Sequence, residues 1–471
     1  MAEFLAPLLA IMHGLAAGSI TVHVLLNHRE VRSAIGWIGL VWLSPFVGSS
    51  IYLAFGINRT QRRGTQISLG LNEYTAHNKD EQVLEPGHPE NIAVLARAAR
   101  SIARLPLARG NSLKLLRDGD AAYPAMLEAI NKAETSIALA SYILASDETG
   151  DRFAKALIDA KQRGVDIRVL MDGIGSGYFR SRIFDQLSAA DIKVARFLHE
   201  WLPWQMPFIN LRNHKKLLII DGTIGFTGGM NISDDNVSGP DPIRVCDTHA
   251  RLEGPIVSHL MATFARDWAF TTGETLKGDA WLPQLTAKGP VAMRGVTSGP
   301  DESVGRIEAL WSLAIEQAER NVRILTPYFL PEDRLLELLR RAALRGVKIE
   351  IIVPEHTNHF YFNWAMRAHM EVIPLDMIDC YLAPDPFDHS KLMSVDGQWS
   401  AIGSPNWDAR SMRLNFEFLV ECYDSEATRA IDELIDSKMA NARQLTASML
   451  KGRPLAVRLR DASARLFLPY L

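Results

Sequence analysis

The chain begins with two long stretches in which apolar residues dominate. Phe4–Leu26 contains no Asp, Glu, Lys or Arg, and neither does Ser33–Ile57. A bilayer core of about 30 Å needs about 20 apolar residues in a helix, so the pattern predicts two transmembrane helices. A helical hairpin buried in a soluble core is the alternative, whereas a cleaved signal peptide is disfavoured because no basic residue precedes the first stretch. We expect His13 and His23, inside that stretch, to face the partner helix or the membrane interface.

Basic residues beside these stretches indicate an orientation. Arg29 and Arg32 lie between the stretches, and Arg59, Arg62 and Arg63 follow the second. Because Lys and Arg are enriched on the cytoplasmic side, this count favours cytoplasmic termini. We therefore expect a multi-pass protein of the cell (inner) membrane whose catalytic body is cytoplasmic.

After a polar linker rich in Gly and Pro, the pattern changes to strands and helices, and it does so twice. Strand-like runs at Ser136–Tyr142 and Asn321–Tyr328 are each followed by a helical pattern and a glycine that ends it. A second strand comes next, at Asp166–Met171 and at Lys348–Val353. Strand, helix and strand form a βαβ unit, which implies a mainly parallel sheet covered by helices. The fold class predicted is α/β, a duplicated α/β/α sandwich with two N-terminal transmembrane helices.

These patterns divide the chain into five segments. We predict a two-helix membrane anchor at 1–63, a linker with a basic amphipathic segment at 64–112, repeats at 113–285 and 286–445, and a basic amphipathic C-terminal segment at 446–471. The basic stretches Leu95–Arg109 and Arg453–Leu471 suit a membrane surface, and for the first a solvated helix face is an equal alternative. The apolar cluster Trp201–Phe208 is either a membrane contact or an ordinary core loop.

Each predicted repeat ends in the same polar cluster. His214 and Lys216 precede the apolar run 217–220 and Asp221, and His389 and Lys391 stand in the same way before 392–395 and Asp396. Residues two apart on a strand share a face, so each His projects beside its Lys. The Asp-Gly dipeptide that follows predicts a tight turn into a returning strand. One such motif is weak evidence of function, but two in an internal duplication are strong evidence.

Further polar residues recur behind these motifs. The returning strands end in Gly-Gly-Met-Asn231 and Gly-Ser-Pro-Asn406, where small residues let backbone approach a ligand and the Asn amide can donate to it. Asp247 lies 33 residues after His214, and Glu417 lies 28 residues after His389. A carboxylate that accepts from Nδ1–H would fix the tautomer of each imidazole. An ordinary polar strand residue is the alternative for both acids.

The paired His-x-Lys-x4-Asp motifs with their Gly and Asn sequels resemble those of the phospholipase D superfamily. The Trp-Leu-Ser-Pro-Phe-Val-Gly of the second apolar stretch, Thr326–Phe329, Asp408–Ser411 and Leu414–Glu417 narrow the resemblance to bacterial cardiolipin synthases. The likeness covers nearly the whole chain. The acidic segment Asp385–Asp388 and Val245 depart from the usual pattern of that family.

The resemblance implies phosphatidyl transfer between two phosphatidylglycerol molecules, giving cardiolipin and glycerol through a phosphohistidine. The implied catalytic residues are His214, Lys216, Asp221, His389, Lys391 and Asp396, with Asn231 and Asn406 on the phosphate and Asp247 and Glu417 orienting the histidines. His214 would be the nucleophile and His389 the acid and base, although the pseudo-symmetry allows the reverse. The two aspartates of the motifs are expected to close turns.

Charge and cysteine content bear on the alternatives. The net charge of −3 gives no global basic field, so a superfamily nuclease is disfavoured and no nucleic-acid partner is expected. Anionic membrane lipids and phosphatidylglycerol are the expected partners, and the oligomeric state stays open. Three scattered cysteines indicate buried thiols, and neither a metal site nor another cofactor is expected. A phospholipase D hydrolase and a phosphatidyltransferase with another alcohol acceptor remain enzymatic alternatives.

Overall fold

The computed structural model describes residues 2–27, 31–56, 84–177, 180–199, 211–238 and 245–466. The chain forms two compact units, Met1–Gly64 and Thr65–Leu471. Several features predicted from the sequence lie outside the described residues. They are Arg29, Arg59, Arg62 and Arg63, the linker up to residue 83, the Trp201–Phe208 cluster, and the C-terminal end from residue 467.

The helices and strands alternate through most of the chain. The helices are α1 Ala2–Asn27, α2 Val31–Leu43, α3 Val47–Ile51, α4 Glu90–Ala103, α5 Asp118–Asn131, α6 Glu148–Gln162, α7 Arg182–Ala189, α8 Val257–Thr272, α9 Arg306–Gln317, α10 Asp333–Leu344, α11 Phe360–His369, α12 Ala409–Arg413, α13 Ser425–Met439, α14 Ala447–Lys451 and α15 Leu455–Arg465. The strands are β1 Ala108–Arg117, β2 Ser136–Ser141, β3 Asp166–Asp172, β4 Lys193–Phe197, β5 Arg212–Asn213, β6 Leu217–Ile220, β7 Ile224–Gly228, β8 Val245–Cys246, β9 Thr248–Glu253, β10 Val291–Ser298, β11 Asn321–Leu325, β12 Phe329–Leu330, β13 Lys348–Pro354, β14 Asp379–Ala383, β15 Phe387–Asp388, β16 Leu392–Val395, β17 Trp399–Gly403, β18 Trp407–Asp408, β19 Asn415–Tyr423 and β20 Arg443–Gln444.

In the first unit, one helix is long and apolar enough to cross a bilayer. Within α1, Pro7–Asn27 has a mean hydropathy of 1.7, and it is the one such helix among the described residues. The second predicted span is interrupted, because α2 ends at Leu43 and α3 begins at Val47. Pro45 disfavours helical backbone in the residue before it, and Phe46 adopts a positive φ of 58°. A single long apolar helix is therefore observed, followed by two shorter ones.

Two hydrogen bonds between polar side chains link helical segments of the first unit. His23 Nδ1 lies 2.6 Å from the Tyr52 hydroxyl, and Trp42 Nε1 donates to Thr21 Oγ1 over 3.0 Å. The ring of His13 lies 6.3 Å from that of Trp42. Both histidines thus face a neighbouring helix, as the sequence predicted.

In the second unit, two copies of one strand order are joined side by side. The main sheet runs β20-β14-β13-β11-β16-β17-β19-β10-β1-β9-β7-β6-β2-β3-β4. From the central antiparallel β1–β10 pair outward, β1-β9-β7-β6-β2-β3-β4 on one side matches β10-β19-β17-β16-β11-β13-β14 on the other. The boundaries at 113, 286 and 446 stay predictions, and β1 already begins at Ala108.

The predicted βαβ units are confirmed, but the prediction of a mainly parallel sheet is wrong. β2 pairs with β3, and β11 with β13, in parallel register around α6 and α10. The helix α6 begins at the N-cap Asp147, which accepts from Gly150 N–H over 2.8 Å, and Gly164 follows its end with a φ of 93°. Every ladder from β2 inward to β11 across the centre of the sheet is antiparallel. These ladders include the motif hairpins β6–β7 and β16–β17 and the β1–β10 pair that joins the two copies.

Helix α4 belongs to the core of the second unit. Ile92, Leu95 and Ala99 are fully buried in one apolar cluster with Leu310 and Trp311 of α9. Its arginines therefore lie on the opposite, solvated face, which is the alternative that the sequence left open for this segment.

Candidate active site

The first motif sits where a short strand of one repeat meets the last long strand of the other. β5 pairs in parallel with the start of β19, and the His214 N–H donates to Phe416 O over 2.9 Å. His214 Nδ1 lies 3.0 Å from both carboxylate oxygens of Glu417, the next residue of β19. Both side chains are almost completely buried.

The second motif repeats this arrangement with the repeats exchanged. β15 pairs in parallel with β8, and the His389 N–H donates to Cys246 O over 2.7 Å. His389 Nδ1 lies 2.8 Å from Oδ2 of Asp247, which follows β8 directly. We call the two pairs the Glu417 dyad and the Asp247 dyad, and each contains one residue from each repeat. The spacing along the sequence had grouped each acid with the histidine of its own repeat. The structure instead pairs each acid with the histidine of the other repeat.

The motif lysines lie beside their histidines, as the period of a strand requires. Lys216 Nζ donates to His214 O over 2.7 Å, and Lys391 Nζ donates to His389 O. Both lysines are buried, and neither of these two contacts neutralises their charge. Two ammonium groups are thus held next to two imidazoles in a site from which water is largely excluded.

Two tyrosines, which the motifs did not predict as site residues, flank the histidines. The ring of Tyr142 lies 5.0 Å from His214, and Lys216 Nζ lies 5.3 Å above it. The ring of Tyr328 lies 6.3 Å from His389. Each tyrosine follows the first strand of its βαβ unit, so aligning the two repeats in the sequence would have revealed the pair.

The glycines behind the motifs make room for protein rather than for a ligand. A Cβ on Gly229 would lie 2.4 Å from Asp247 Oδ1, and one on Gly403 would lie 2.4 Å from Phe418 O. In the second repeat the position of Gly229 is taken by Ser404, whose hydroxyl donates to Glu417. Glu417 therefore accepts a hydrogen bond from a serine hydroxyl, and Asp247, which faces Gly229, has no equivalent contact at that position.

Asp221 and Asp396 lie at the far ends of β6 and β16, away from the histidines. Asp221 accepts from the N–H groups of residues 134, 135 and 136, and Asp396 from those of residues 319, 320 and 321. Each aspartate ties its turn to the start of the neighbouring strand, so their contacts are those of turn-closing residues.

The two asparagines have protein contacts of their own. Asn231 Oδ1 accepts from Ile143 N–H over 3.3 Å. The Asn406 side chain donates to Asp408, and its buried Oδ1 has no partner among the described residues. An unpaired buried amide oxygen is costly, which marks Asn406 as a group that a ligand or water would satisfy.

Burial and the two ammonium groups keep the histidines neutral. Burial lowers the pKa of His214 to about 4, and the charges of Lys216 and Lys391 act in the same direction. The pKa of His389 is also well below its usual value, through burial and then Lys391 and Lys216. Because each histidine feels the lysine of the other motif, both motifs belong to one electrostatic cluster. Burial in turn lowers the pKa of Lys216 to about 7 and that of Lys391 to about 8.

The two carboxylates have opposite pKa shifts. Burial raises the pKa of Asp247 to about 7, and the nearby Asp388 adds to this effect. Burial also disfavours the charge of Glu417, but His214, Lys216 and the Ser404 hydroxyl outweigh it and lower the pKa to about 2. Glu417 is therefore ionised at neutral pH, whereas Asp247 is partly protonated near pH 7.

Ion pairs behind the motifs have opposite polarity in the two repeats. Beside His214, the buried Lys215 is 2.7 Å from Asp267 of α8. Beside His389, the acid is Asp388, which is 2.6 Å from Lys438 of α13. The acidic segment that departed from the family pattern is thus neutralised by a lysine of the covering helix.

The donor set suits phosphoryl chemistry that uses no metal ligands from the protein. Among the described residues there is no group of three or more His, Cys, Asp or Glu that could hold a metal ion. The three cysteines are free and buried. The two imidazoles are hydrogen-bonded to Glu417 and Asp247 and lie next to two lysines. The imidazoles can supply a nucleophile and a proton donor for a phosphodiester, and the lysines can supply positive charge.

Comparisons with known families agree with this site. The profile of "Cardiolipin synthase, PLD-like domain" matches residues 126–268 and 313–439, and that of "Phospholipase_D-nuclease N-terminal" matches residues 19–56. Among solved structures, phosphatidylserine synthase from Haemophilus influenzae Rd KW20 superimposes with a TM-score of 0.63 at 14% identity, over 80% of this chain and 100% of that one. That likeness shows the fold.

Curated relatives extend the match over nearly the whole chain. The cardiolipin synthase of Geobacillus sp. (strain WCH70) is 30% identical over 95% of this chain and 90% of its own length. That of Alkalihalophilus pseudofirmus is 30% identical over 98% of this chain and 94% of its own length. With two matched phospholipase D-like repeats that each contribute a histidine, a lysine and a carboxylate to one buried cluster, the chain belongs to the cardiolipin synthase family of the phospholipase D superfamily.

Proposed function

We propose that this enzyme is a phosphatidyltransferase that joins two phosphatidylglycerol molecules into cardiolipin and releases glycerol. The observation that carries the proposal is the pair of crossed dyads, which places two histidines, each hydrogen-bonded to a carboxyl group, beside two lysines. A single transfer from a covalent intermediate needs a nucleophile on one side of the phosphate and an acid on the other.

In the first half-reaction, His214 Nε2 attacks the phosphorus of phosphatidylglycerol. The nucleophile is Nε2 because Nδ1 is held by Glu417. The bond from phosphorus to the glycerol oxygen breaks, and that oxygen takes the Nε2 proton of His389 as glycerol leaves. Asp247, whose raised pKa lets it hold a proton, protonates Nδ1 of His389 in the same step. Lys216 and Lys391 stabilise the charge on the phosphate oxygens, with Asn231 and Asn406 as further donors.

In the second half-reaction, a hydroxyl of another phosphatidylglycerol attacks the phosphohistidine. His389, whose Nε2 now has a free lone pair, takes the proton of that hydroxyl as a general base and returns its Nδ1 proton to Asp247. The P–N bond breaks, cardiolipin forms, and His214 regains its lone pair. One proton has moved from one alcohol to the other, so no cofactor or oxidant is required.

The environments of the dyads support this assignment of roles. Glu417 is fully ionised, so it stabilises the positive charge that develops on His214 as a bond forms at Nε2. Asp247 has a raised pKa and can leave a proton with His389, which suits an acid and base. An arriving phosphate anion would raise the pKa of both histidines by opposing the effect of the lysines.

We further propose that the chain is embedded in the cell (inner) membrane by both N-terminal apolar stretches, with a cytoplasmic catalytic body. α1 alone has the length for a span, so α2 and α3 would cross as one broken helix or lie at the interface. Phosphatidylglycerol and anionic lipids are then both substrate and surroundings.

Product analysis on phosphatidylglycerol as the sole lipid tests the transferase. We expect glycerol and cardiolipin in equal amounts, with little phosphatidic acid. His389→Ala should accumulate a phosphoenzyme on His214, because the second step lacks its base, and His214→Ala should abolish the covalent species. Dominant phosphatidic acid would indicate the hydrolase instead, and a label on His389 would reverse the roles. Transfer only to another added alcohol would identify the remaining alternative.

A further inference from the structure

A continuous row of aromatic side chains leads from the catalytic histidine to the protein surface. From His389, the row passes through Tyr328 and then Phe362, whose ring lies 4.4 Å from that of Tyr328. Phe362 contacts Tyr361 at 5.3 Å, and Phe360 lies 5.4 Å from Tyr361. The Phe360 side chain is 64% exposed, so the row ends in solvent at the start of α11.

This aromatic end is continuous with the C-terminal helix. The ring of Phe360 lies 4.9 Å from that of Trp364, and the Arg460 guanidinium of α15 lies 4.4 Å over the Trp364 ring. Along α15, Leu455 and Leu459 are 69% and 60% exposed. Apolar side chains of this size exposed side by side normally mark a binding surface.

The same surface has a cationic border. Between Arg453 and Arg465 the chain holds four arginines and a single acid, Asp461. Arg453 and Arg458 contact Glu371, which lies just after α11, and Arg460 contacts Asp461 of α15 itself, so ion pairs hold these three arginines in place. Two acids against four arginines leave a net positive charge, and aromatic, apolar and cationic side chains in one place are typical of the membrane interface.

We propose that this aromatic–arginine surface, formed by Phe360, Tyr361, Trp364, Leu455, Leu459 and Arg460, docks onto the headgroup boundary of an anionic bilayer and passes phospholipid to His389. The proposal rests on the proposed function for the identity of the lipid. A bilayer fits better than a protein partner, because the positive border complements anionic headgroups and the aromatic row joins the surface to the site of lipid chemistry.

Depth-dependent fluorescence quenching tests the docking itself. The three native cysteines are buried, so Phe360→Cys provides a single accessible thiol for an environment-sensitive dye. Leu344→Cys on α10 is the matched control, because Leu344 is 59% exposed and lies outside the surface. The full chain in phosphatidylglycerol vesicles that contain spin-labelled lipid should show strong quenching at 360 and little at 344. Equal quenching at both positions would overturn the proposal.

Kinetics separate docking from chemistry. Phe360→Ser/Leu459→Ser should raise the apparent KM for phosphatidylglycerol in vesicles severalfold, by a larger factor than any change in kcat, whereas Leu344→Ser should change neither. With a soluble short-chain phosphatidylglycerol, which requires no docking to a bilayer, the loss of kcat/KM in the double variant should be clearly smaller than in vesicles. An unchanged KM in vesicles would contradict the docking role. If no cardiolipin forms in any assay, the proposed function fails, while the quenching result still decides the docking surface.

Discussion

At the scale of single residues, two motifs that share the His-x-Lys-x4-Asp pattern acquire unequal chemistry from their neighbours. The carboxylate of Glu417 accepts from the Ser404 hydroxyl, and the equivalent position near Asp247 is Gly229, which offers no donor. Asp388 adds a negative charge near Asp247, whereas the residue before His214 is the neutral Asn213. A charged acceptor gains more from a hydrogen bond than a neutral one. These differences between the repeats therefore favour the ionised form of Glu417 and disfavour that of Asp247.

The pH dependence of kcat/KM should show this electrostatic arrangement. Below pH about 4, His214 becomes protonated and can no longer attack phosphorus. Above pH about 7 to 8, Lys216 and then Lys391 lose the charge that holds the phosphate. We therefore expect a bell-shaped profile, since kcat/KM reports groups of the free enzyme. Lys216→Arg replaces the first lysine that loses its charge, so it should move the alkaline limb to higher pH even if the maximum falls. A profile that is flat to pH 10 would contradict the assignment.

Removing the Ser404 hydroxyl should weaken the nucleophile specifically. A hydrogen bond to a charged group contributes about 1.5–3 kcal/mol, so Ser404→Ala should slow formation of the phosphoenzyme about 10- to 100-fold. Ser390→Ala is the matched control, because that hydroxyl bonds to Thr248 Oγ1 at 2.9 Å and not to a carboxylate. Rapid-quench measurement of the phosphoenzyme distinguishes the two variants, and equal effects would remove Ser404 from the mechanism.

At the scale of elements, local signals were predictable and long-range pairing was not. β3 and β13 and the glycine caps before them follow from apolar runs and Gly within about 20 residues. The parallel pairs β5–β19 and β8–β15 join segments that are more than a hundred residues apart, and each pair includes a strand of only two residues. No periodicity marks so short a strand, which is why the crossed dyads were not predictable. The Asp-Gly turns predicted the antiparallel hairpins β6–β7 and β16–β17, but no local signal predicted the pairing of the more distant strands at the centre of the sheet.

The buried ion pair beneath the first motif should matter more for stability than any exposed pair. Asp267→Asn leaves the Lys215 ammonium buried without a counter-ion, and such a loss costs about 3–5 kcal/mol. The unfolding midpoint should fall strongly, as measured by denaturant titration in detergent. Glu128→Gln, which breaks an exposed pair with Lys132, should leave the midpoint unchanged. Lys215→Met/Asp267→Leu should recover most of the loss, and failure to do so would mean that the pair has a further role.

At the scale of the whole molecule, the active site belongs to neither repeat alone. The second unit holds two seven-strand copies joined at β1 and β10, and each dyad takes its histidine from one copy and its acid from the other. Every step of the reaction therefore depends on the junction between the copies.

A variant of either carboxylate should show the same kinetic defect as a variant of the histidine to which it is hydrogen-bonded, which lies in the other repeat. Asp247→Asn should accumulate phosphoenzyme, as His389→Ala does, because both disable the second-step base. Glu417→Gln should form little phosphoenzyme, as His214→Ala does. Single-turnover experiments with labelled phosphatidylglycerol would distinguish the two classes. If Asp247→Asn instead blocked formation of the intermediate, the functional partners would be those within one repeat.

The crossed dyads also constrain how this chain can change over generations. After a gene duplication, one copy commonly loses its active residues and survives as a scaffold. Here the acid of each copy is hydrogen-bonded to the histidine of the other copy, so losing it from either copy impairs the other. Selection therefore acts on both copies. Asp247 and Glu417, with the strand ends that carry them, should accordingly change more slowly than the helices that cover the sheet.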